Sequence, residues 1–164
     1  MLRALALLVT VGALAAGALP TAAAAPSSHV FKVLGVEISA GAGHGTFVGT
    51  ATGASEKAAW KADVRHSTLD ALPAAITGGT LKLGSLHDYV VGTFTGGSIS
   101  LLRAGAGCGN QKFGVKGKLS DVQTKQTRGG SGVFDVVLTH YRKSVLGHCL
   151  TYGATVRGTA SFTY

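Results

Sequence analysis

The sequence predicts an all-β protein, an antiparallel β-barrel behind an N-terminal export signal, and three observations predict this class. Apolar and polar residues alternate with a period of two along most of residues 26–164. Glycine-rich segments separate the alternating runs. No window carries apolar residues at helical spacing over three turns, so the helices that connect parallel strands are not expected. A β-sandwich is the alternative that these observations leave open.

The first 25 residues have the pattern of a secretory signal peptide. Arg3 provides a basic start, residues 4–19 form an apolar run, and Pro20 ends it. The small residues Ala23–Ala25 suit cleavage after Ala25. The run is shorter than the about 20 apolar residues of a membrane-spanning helix, and no second candidate follows. We therefore expect a signal peptide at 1–25, a single antiparallel β-domain at 26–164, and a protein that is secreted, with no stable membrane insertion after cleavage.

The alternation assigns an inward face to each predicted strand. Residues 87–95 and 98–103 are expected to be two strands, joined by a hairpin turn at Gly96–Gly97. The other inward faces, in chain order, are Val30, Leu34, Val36 and Ile38; Trp60, Ala62 and Val64; Phe113, Val115 and Leu119; Phe134, Val136 and Leu138; and the even-numbered residues from Tyr152 to Tyr164.

Glycines recur on these inward faces, at Gly92, Gly117 and Gly158. Glycine weakens the middle of a strand, so its repetition needs a geometric reason. Strong coiling of the sheet in a small barrel is one reason, and the close approach of a ligand or a second sheet is another. The glycine pattern therefore favours the barrel over the sandwich.

Charge and cysteine content limit the partners. The formal net charge is +8, of which Arg3 in the predicted signal peptide contributes one. The basic residues are scattered over several strands, with the densest point at Tyr141-Arg142-Lys143, and an exported protein seldom meets nucleic acid, so nucleic acid is not an expected partner. A basic exported protein suits an extracellular or cell-wall polymer of negative charge. In an oxidising compartment, Cys108 and Cys149 are expected to form one disulfide bond.

Four residues are candidates for binding a small ligand. His66 and His140 continue the apolar runs of their strands, which places both near the interior at a strand end. Tyr152 is expected nearby, and Asp88 shares the register of the inward-facing residues that follow it. Convergent polar groups of this kind orient a ligand in an apolar pocket. The alternative is that each histidine ends its strand at the solvent edge and bonds to the backbone.

Motifs for metal, cofactor or catalytic chemistry are missing from the sequence. It contains no His-x-His, His-Glu-x-x-His or Cys-x-x-Cys, so no metal site is expected. No serine lies in a Gly-x-Ser-x-Gly frame, and no two carboxylates form a recognisable pair. The glycine loops lack the Lys-Ser/Thr and helix of a phosphate-binding loop. We therefore assign no catalytic residue and no cofactor.

Part of the chain resembles a group of known proteins. The segments from Cys108 to Leu119, from Leu138 to Arg142 and from Gly147 to Tyr152 resemble small secreted proteins of actinobacteria that have no established activity. The rhythm of strands and glycines is more loosely similar to barrels of the dirigent and allene oxide cyclase type. A streptavidin-like barrel is less similar, because Trp60 is the single tryptophan. The resemblance implies a small secreted β-domain and no site residues.

The sequence thus predicts a secreted binding or interaction protein more than an enzyme. One alternative is a barrel enzyme, isomerase-like or hydrolytic, that uses His66, His140 or Asp88 inside the lumen. Another is a binder of anionic cell-surface polymers. The first alternative depends on whether side chains fill the barrel or leave a cavity.

Overall fold

A computed structural model describes residues 25–54, 56–84 and 88–164. Its elements are eight strands: β1 (Ser28–Gly41), β2 (His44–Thr52), β3 (Lys57–His66), β4 (Ala74–Gly84), β5 (Tyr89–Arg103), β6 (Gln111–Gln123), β7 (Gly130–Val145) and β8 (His148–Thr163). The predicted signal peptide, apart from Ala25, lies outside the described residues. Within these ranges, no helix has the length and apolar character needed to span a membrane.

The eight strands form one closed antiparallel barrel. Each strand pairs with the next along the chain, and β1 pairs with β8 from Ser28–Thr163 to Val36–Thr155. Closure satisfies the backbone groups that the edges of an open sheet would expose. The prediction of an antiparallel barrel is confirmed.

Apolar side chains fill the barrel. The predicted inward faces of β3, β6 and β7 are buried, as are the even-numbered residues of β8 from Ala154 to Phe162 apart from Gly158. At the centre, the Phe134 ring lies 5.8 Å from Trp60 and 5.9 Å from Phe94, measured between ring centroids. The space between Phe47, Phe134 and Val156 is too small for a water molecule.

The predicted inward face of β1 is wrong. Val30, Leu34, Val36 and Ile38 are between 45% and 59% exposed and lie on the outer wall. Phe31 and Val33 point inward, and Phe31 packs edge-on against Phe162 at 6.1 Å. Both faces of β1 are rich in apolar residues, so alternation alone does not decide which one is buried. The correction places the odd-numbered residues of β1 on the inner side of the wall.

The predicted hairpin at Gly96–Gly97 is also wrong. The two glycines lie inside β5, which runs unbroken from Tyr89 to Arg103. Gly97 has a φ of 135° and pairs with Gly117 of β6, beside a register shift between Phe94 and Gly96. The glycines therefore form an irregularity that lets one long strand coil around the barrel.

Inward glycines make room for the aromatic rings of the barrel itself. A Cβ atom at Gly117 would collide with the ring of Phe94, and one at Gly35 would lie 2.6 Å from Cζ2 of Trp60. The Trp60 indole uses this space to donate from Nε1 to the carbonyl oxygens of Leu34, at 3.0 Å, and Thr50, at 3.1 Å. The glycines therefore allow close contact between the strands of the barrel wall and the aromatic side chains of the core.

Candidate functional site

A small cavity opens at one end of the barrel, where β1 ends and β2 begins. Its volume is about 60 Å³, and we call it the mouth. The polar residues that line the mouth come from four strands and are Glu37 of β1, His44 of β2, His66 of β3 and His140 of β7. Its apolar walls are Phe47, Val64, Ile99, Phe113, Val115 and Leu138, with Leu69 from the β3–β4 connection.

Glu37 and His140 form a pair in the mouth. Nε2 of His140 lies 3.0 Å from Oε2 of Glu37, and the two side chains are 17% and 10% exposed, respectively. The ring of Phe113 meets the imidazole edge-on, with 5.3 Å between the centroids. Among the described contacts, Oε1 of Glu37 makes no hydrogen bond. The pair therefore leaves one carboxylate oxygen available as an acceptor.

His44 belongs to a second chain of polar contacts. The hydroxyl of Thr46 donates to Oδ1 of Asp63 at 2.9 Å, and its oxygen lies 3.4 Å from Nε2 of His44. Because the hydroxyl proton points to Asp63, His44 is the donor in the longer contact. Burial alone would raise the pKa of Asp63, but hydrogen bonds from Thr46 and Lys61 and the charge of Lys61 lower it overall.

His66 is held by the backbone at the end of β3. Its Nδ1 lies 2.7 Å from the carbonyl oxygen of Ser67. A carbonyl only accepts, so Nδ1 donates. The two interpretations that the sequence left open for His66 therefore coincide, since the ring bonds to the backbone and also lines the mouth.

Of the four predicted ligand-binding residues, the structure brings together His66 and His140 but not Asp88 and Tyr152. Asp88 lies at the opposite end of the barrel, beside a separate cavity of about 230 Å³ that Phe31 and Tyr164 also line. Tyr152 is 64% exposed and lies beyond the point where β8 pairs with β1. Alternation indicates which face of a strand a residue occupies, but it does not give the residue's height along the barrel.

Two residues of the mouth were missed from the sequence. His44 lies in Gly41-Ala-Gly-His-Gly45, which has the composition of a turn. Glu37 was missed because the alternation along β1 predicted the opposite face as the inward one. The signal for Glu37 is the series Phe31, Val33, Gly35 and Glu37, which lies on one face and ends at the mouth. Within the described ranges, no three His, Cys, Asp or Glu residues are arranged to hold a metal ion.

A hairpin projects beyond the same end of the barrel. Residues 141–153 of β7 and β8 pair with each other and, among the residues that the structure describes, with no third strand; we call this segment the arm. The predicted disulfide bond is present: Cys149 in the arm is bonded to Cys108 in the β5–β6 connection, with 5.2 Å between their Cα atoms. The backbone N–H of Arg142 also donates to Oδ1 of Asn110, at 3.4 Å. The arm is thus attached to the barrel connection beside it.

Comparison of the chain with protein families, curated proteins and solved structures gave no match.

Proposed function

We propose that this chain is an exported, non-catalytic binding protein that holds the head of a small ammonium compound in its mouth. The partly buried Glu37 carboxylate, with one oxygen bonded to His140 and the other open, is the observation that carries this proposal. The pattern of the first 25 residues and the Cys108–Cys149 bond support export.

The size of the mouth limits the ligand. The volume of the mouth is about 60 Å³. Sites for drug-sized ligands are roughly 300–1,000 Å³. The mouth therefore suits a very small molecule, or the end of a longer one whose remainder stays in solvent. The aliphatic and aromatic walls favour a short alkyl group next to the charged head.

The polar atoms of the mouth favour a donor of positive charge. A carboxylate accepts hydrogen bonds and does not donate them. The ring nitrogens that do not make the contacts above are Nε2 in His66 and Nδ1 in His44 and His140, and such a nitrogen accepts a hydrogen bond when it carries no proton. None of the described residues that line the mouth is a lysine or an arginine. The rings of Phe47 and Phe113 also line the mouth, and aromatic rings attract a cation that lies over their faces.

The test compares three probes with the same four-carbon chain: n-butylammonium, n-butanol and butyrate. Titrations followed by amide chemical shifts are expected to give n-butylammonium a Kd of about 1 mM. Butanol should bind about 10-fold more weakly because it lacks the charge-assisted hydrogen bond. Butyrate should show no binding, because its charge opposes that of Glu37. Tighter binding of butyrate than of the amine would overturn the proposal.

A matched pair of variants assigns the effect to the mouth. Glu37→Gln keeps the size of the side chain and removes its charge, and it should weaken n-butylammonium binding by about 10-fold or more. Glu56→Gln makes the same change at the opposite end of the barrel and should leave the Kd unaltered. Equal effects of the two substitutions would show that overall charge, and not the mouth, attracts the amine.

One observation favours a second candidate, an enzyme that uses the His140–Glu37 pair for proton transfer. A histidine within 3.0 Å of a carboxylate is a common arrangement for a general base. Turnover of a defined substrate that is lost in His140→Ala, while the fold persists, would favour this candidate over the binding protein.

A further inference from the structure

The apex of the arm combines an unfavourable backbone conformation with an exposed apolar side chain. Leu146 and Gly147 connect β7 to β8, and both have positive φ, at 50° and 82°. A two-residue hairpin turn with two positive φ angles favours Asn-Gly, and a bulky residue is rare in its first position. Leu146 is nevertheless 94% exposed. Leu146 therefore suits its turn poorly and buries almost none of its apolar surface within the chain.

Aromatic and apolar side chains continue along the arm behind the apex. Leu150 is 50% exposed and Tyr152 is 64% exposed. The ring of Tyr152 lies 6.3 Å from that of Tyr141, and Nζ of Lys143 lies 5.6 Å from the centre of the Tyr152 ring. The arm therefore presents an apolar apex, followed by tyrosines with a cation beside them.

The charged residues of the arm and of the connection bonded to it are all basic. The sequence has no Asp or Glu after Asp135 and none in residues 89–120, which include the connection that the disulfide attaches to the arm. Arg142 and Lys143 lie within the arm, and Arg103 and Lys112 border that connection. This segment therefore complements a negatively charged partner.

The length of the arm is sufficient to separate its apex from the barrel. Leu146 lies five residues beyond Tyr141, and strands advance about 3.3 Å per residue, so the apex lies about 17 Å beyond the rim. Interfacial segments enter the boundary of headgroups and acyl chains by about 5–10 Å. The apex can reach that depth while the barrel remains in water.

We propose that the arm docks the protein on an anionic lipid surface, with Leu146 in the headgroup region and Arg142 and Lys143 against the lipid phosphates. The apolar apex favours lipid over an anionic polysaccharide, because sugar hydroxyls offer hydrogen bonds that a leucine cannot use, whereas a bilayer accepts its side chain. Tyrosines suit the same interface, since their rings are apolar and their hydroxyls polar. The docking is peripheral and independent of ligand binding in the mouth.

Co-sedimentation with vesicles tests the proposal. The full chain is expected to bind vesicles of phosphatidylcholine and phosphatidylglycerol in equal parts, to bind pure phosphatidylcholine weakly, and to lose binding as salt is raised. Arg142→Gln with Lys143→Gln should weaken partitioning by about 30-fold. Lys82→Gln with Lys118→Gln removes the same charge from the barrel wall and should weaken it by less than about 3-fold.

A second pair of variants tests the apex. Leu146→Asn suits the positive φ of the turn, so the fold should be kept, while partitioning falls by about 5-fold because the apolar side chain is lost. Val133→Thr, an apolar-to-polar change on the outer wall, should leave partitioning unaltered. Circular dichroism checks the fold of each variant.

Three results would overturn the proposal. The first is equal binding to both vesicle types. The second is an equal loss in the two double-glutamine variants, which would assign the attraction to net charge. The third is binding of soluble dextran sulfate that depends on Arg142 and Lys143, together with vesicle binding that is insensitive to Leu146→Asn. The third result would identify the arm as a site for anionic polymers.

Discussion

The surroundings of Glu37 determine what its side chain can bind. It lies near the end of β1, where the inward face passes from the apolar core to the mouth. A carboxylate that is 10% exposed loses much of its hydration, and a single hydrogen bond from His140 only partly replaces it. The open oxygen is therefore the place where a cationic group gains most from entering the mouth.

The lowered pKa of Asp63 predicts how the free energy of unfolding changes with pH. Its pKa in the folded protein is lower than its ordinary value of 3.8, so its carboxylate stabilises the fold at pH above that value. This contribution is lost as the pH falls below 3.8 and through the lowered pKa of the folded state. Asp63→Asn should therefore reduce the free energy of unfolding by about 1 kcal/mol at neutral pH. The difference from the parent protein should shrink toward zero in strong acid.

Urea unfolding at a series of pH values measures this difference. Asp135→Asn is the matched control, because it removes the more exposed carboxylate that pairs with Lys116 on the outer wall. We expect that control to change stability by less than about 0.5 kcal/mol. A gap between Asp63→Asn and the parent protein that stays constant below pH 3.8 would contradict the assigned role of the carboxylate.

At the scale of elements, the disulfide bond links the arm to the β5–β6 connection. It closes a loop of 41 residues, for which the chain-entropy estimate is about 4 kcal/mol. Replacing both Cys108 and Cys149 with serine should lower the free energy of unfolding by up to that amount. Most residues of the loop remain paired in β6 and β7, so the barrel should still form.

Hydrogen exchange locates the effect of this double substitution. Amides of the arm, from 142 to 151, should lose protection because the arm pairs with no third strand. Amides of β2 and β3 serve as the reference within the same sample and should keep their protection. Equal loss of protection in the arm and in these strands would mean that the disulfide supports the whole barrel instead of the arm.

Individual strands differ in how well alternation predicts them. In β3, Trp60 alternates with Lys61 and Asp63, so only one face is suited to burial, and the prediction is confirmed. In β1, Val30 and Leu34 compete with Phe31 and Val33, and the barrel buries the pair that includes the larger Phe31. The Gly96–Gly97 pair has the composition of a turn, yet long-range pairing with β6 keeps it within a strand.

The whole molecule is a filled barrel with small cavities at its ends, and its class follows from local patterns in the sequence. The period of two and the missing helices predict the all-β class and the buried face of β8 from Ala154 to Phe162, and the glycines on inward faces favour closure into a barrel. The mouth requires more, because Glu37, His44, His66 and His140 come from four strands. Whether these four residues lie close together depends on the lengths and registers of the strands. The alternation within a single strand does not indicate either.

Intermolecular NOEs between the butyl chain of n-butylammonium and the protein test the proposed binding in the mouth, because they locate the ligand without any substitution. We predict NOEs from the butyl chain to the methyl groups of Leu138 and Val115 in the walls of the mouth. NOEs to Leu83 and Val90, which line the cavity at the opposite end of the barrel, would contradict binding in the mouth.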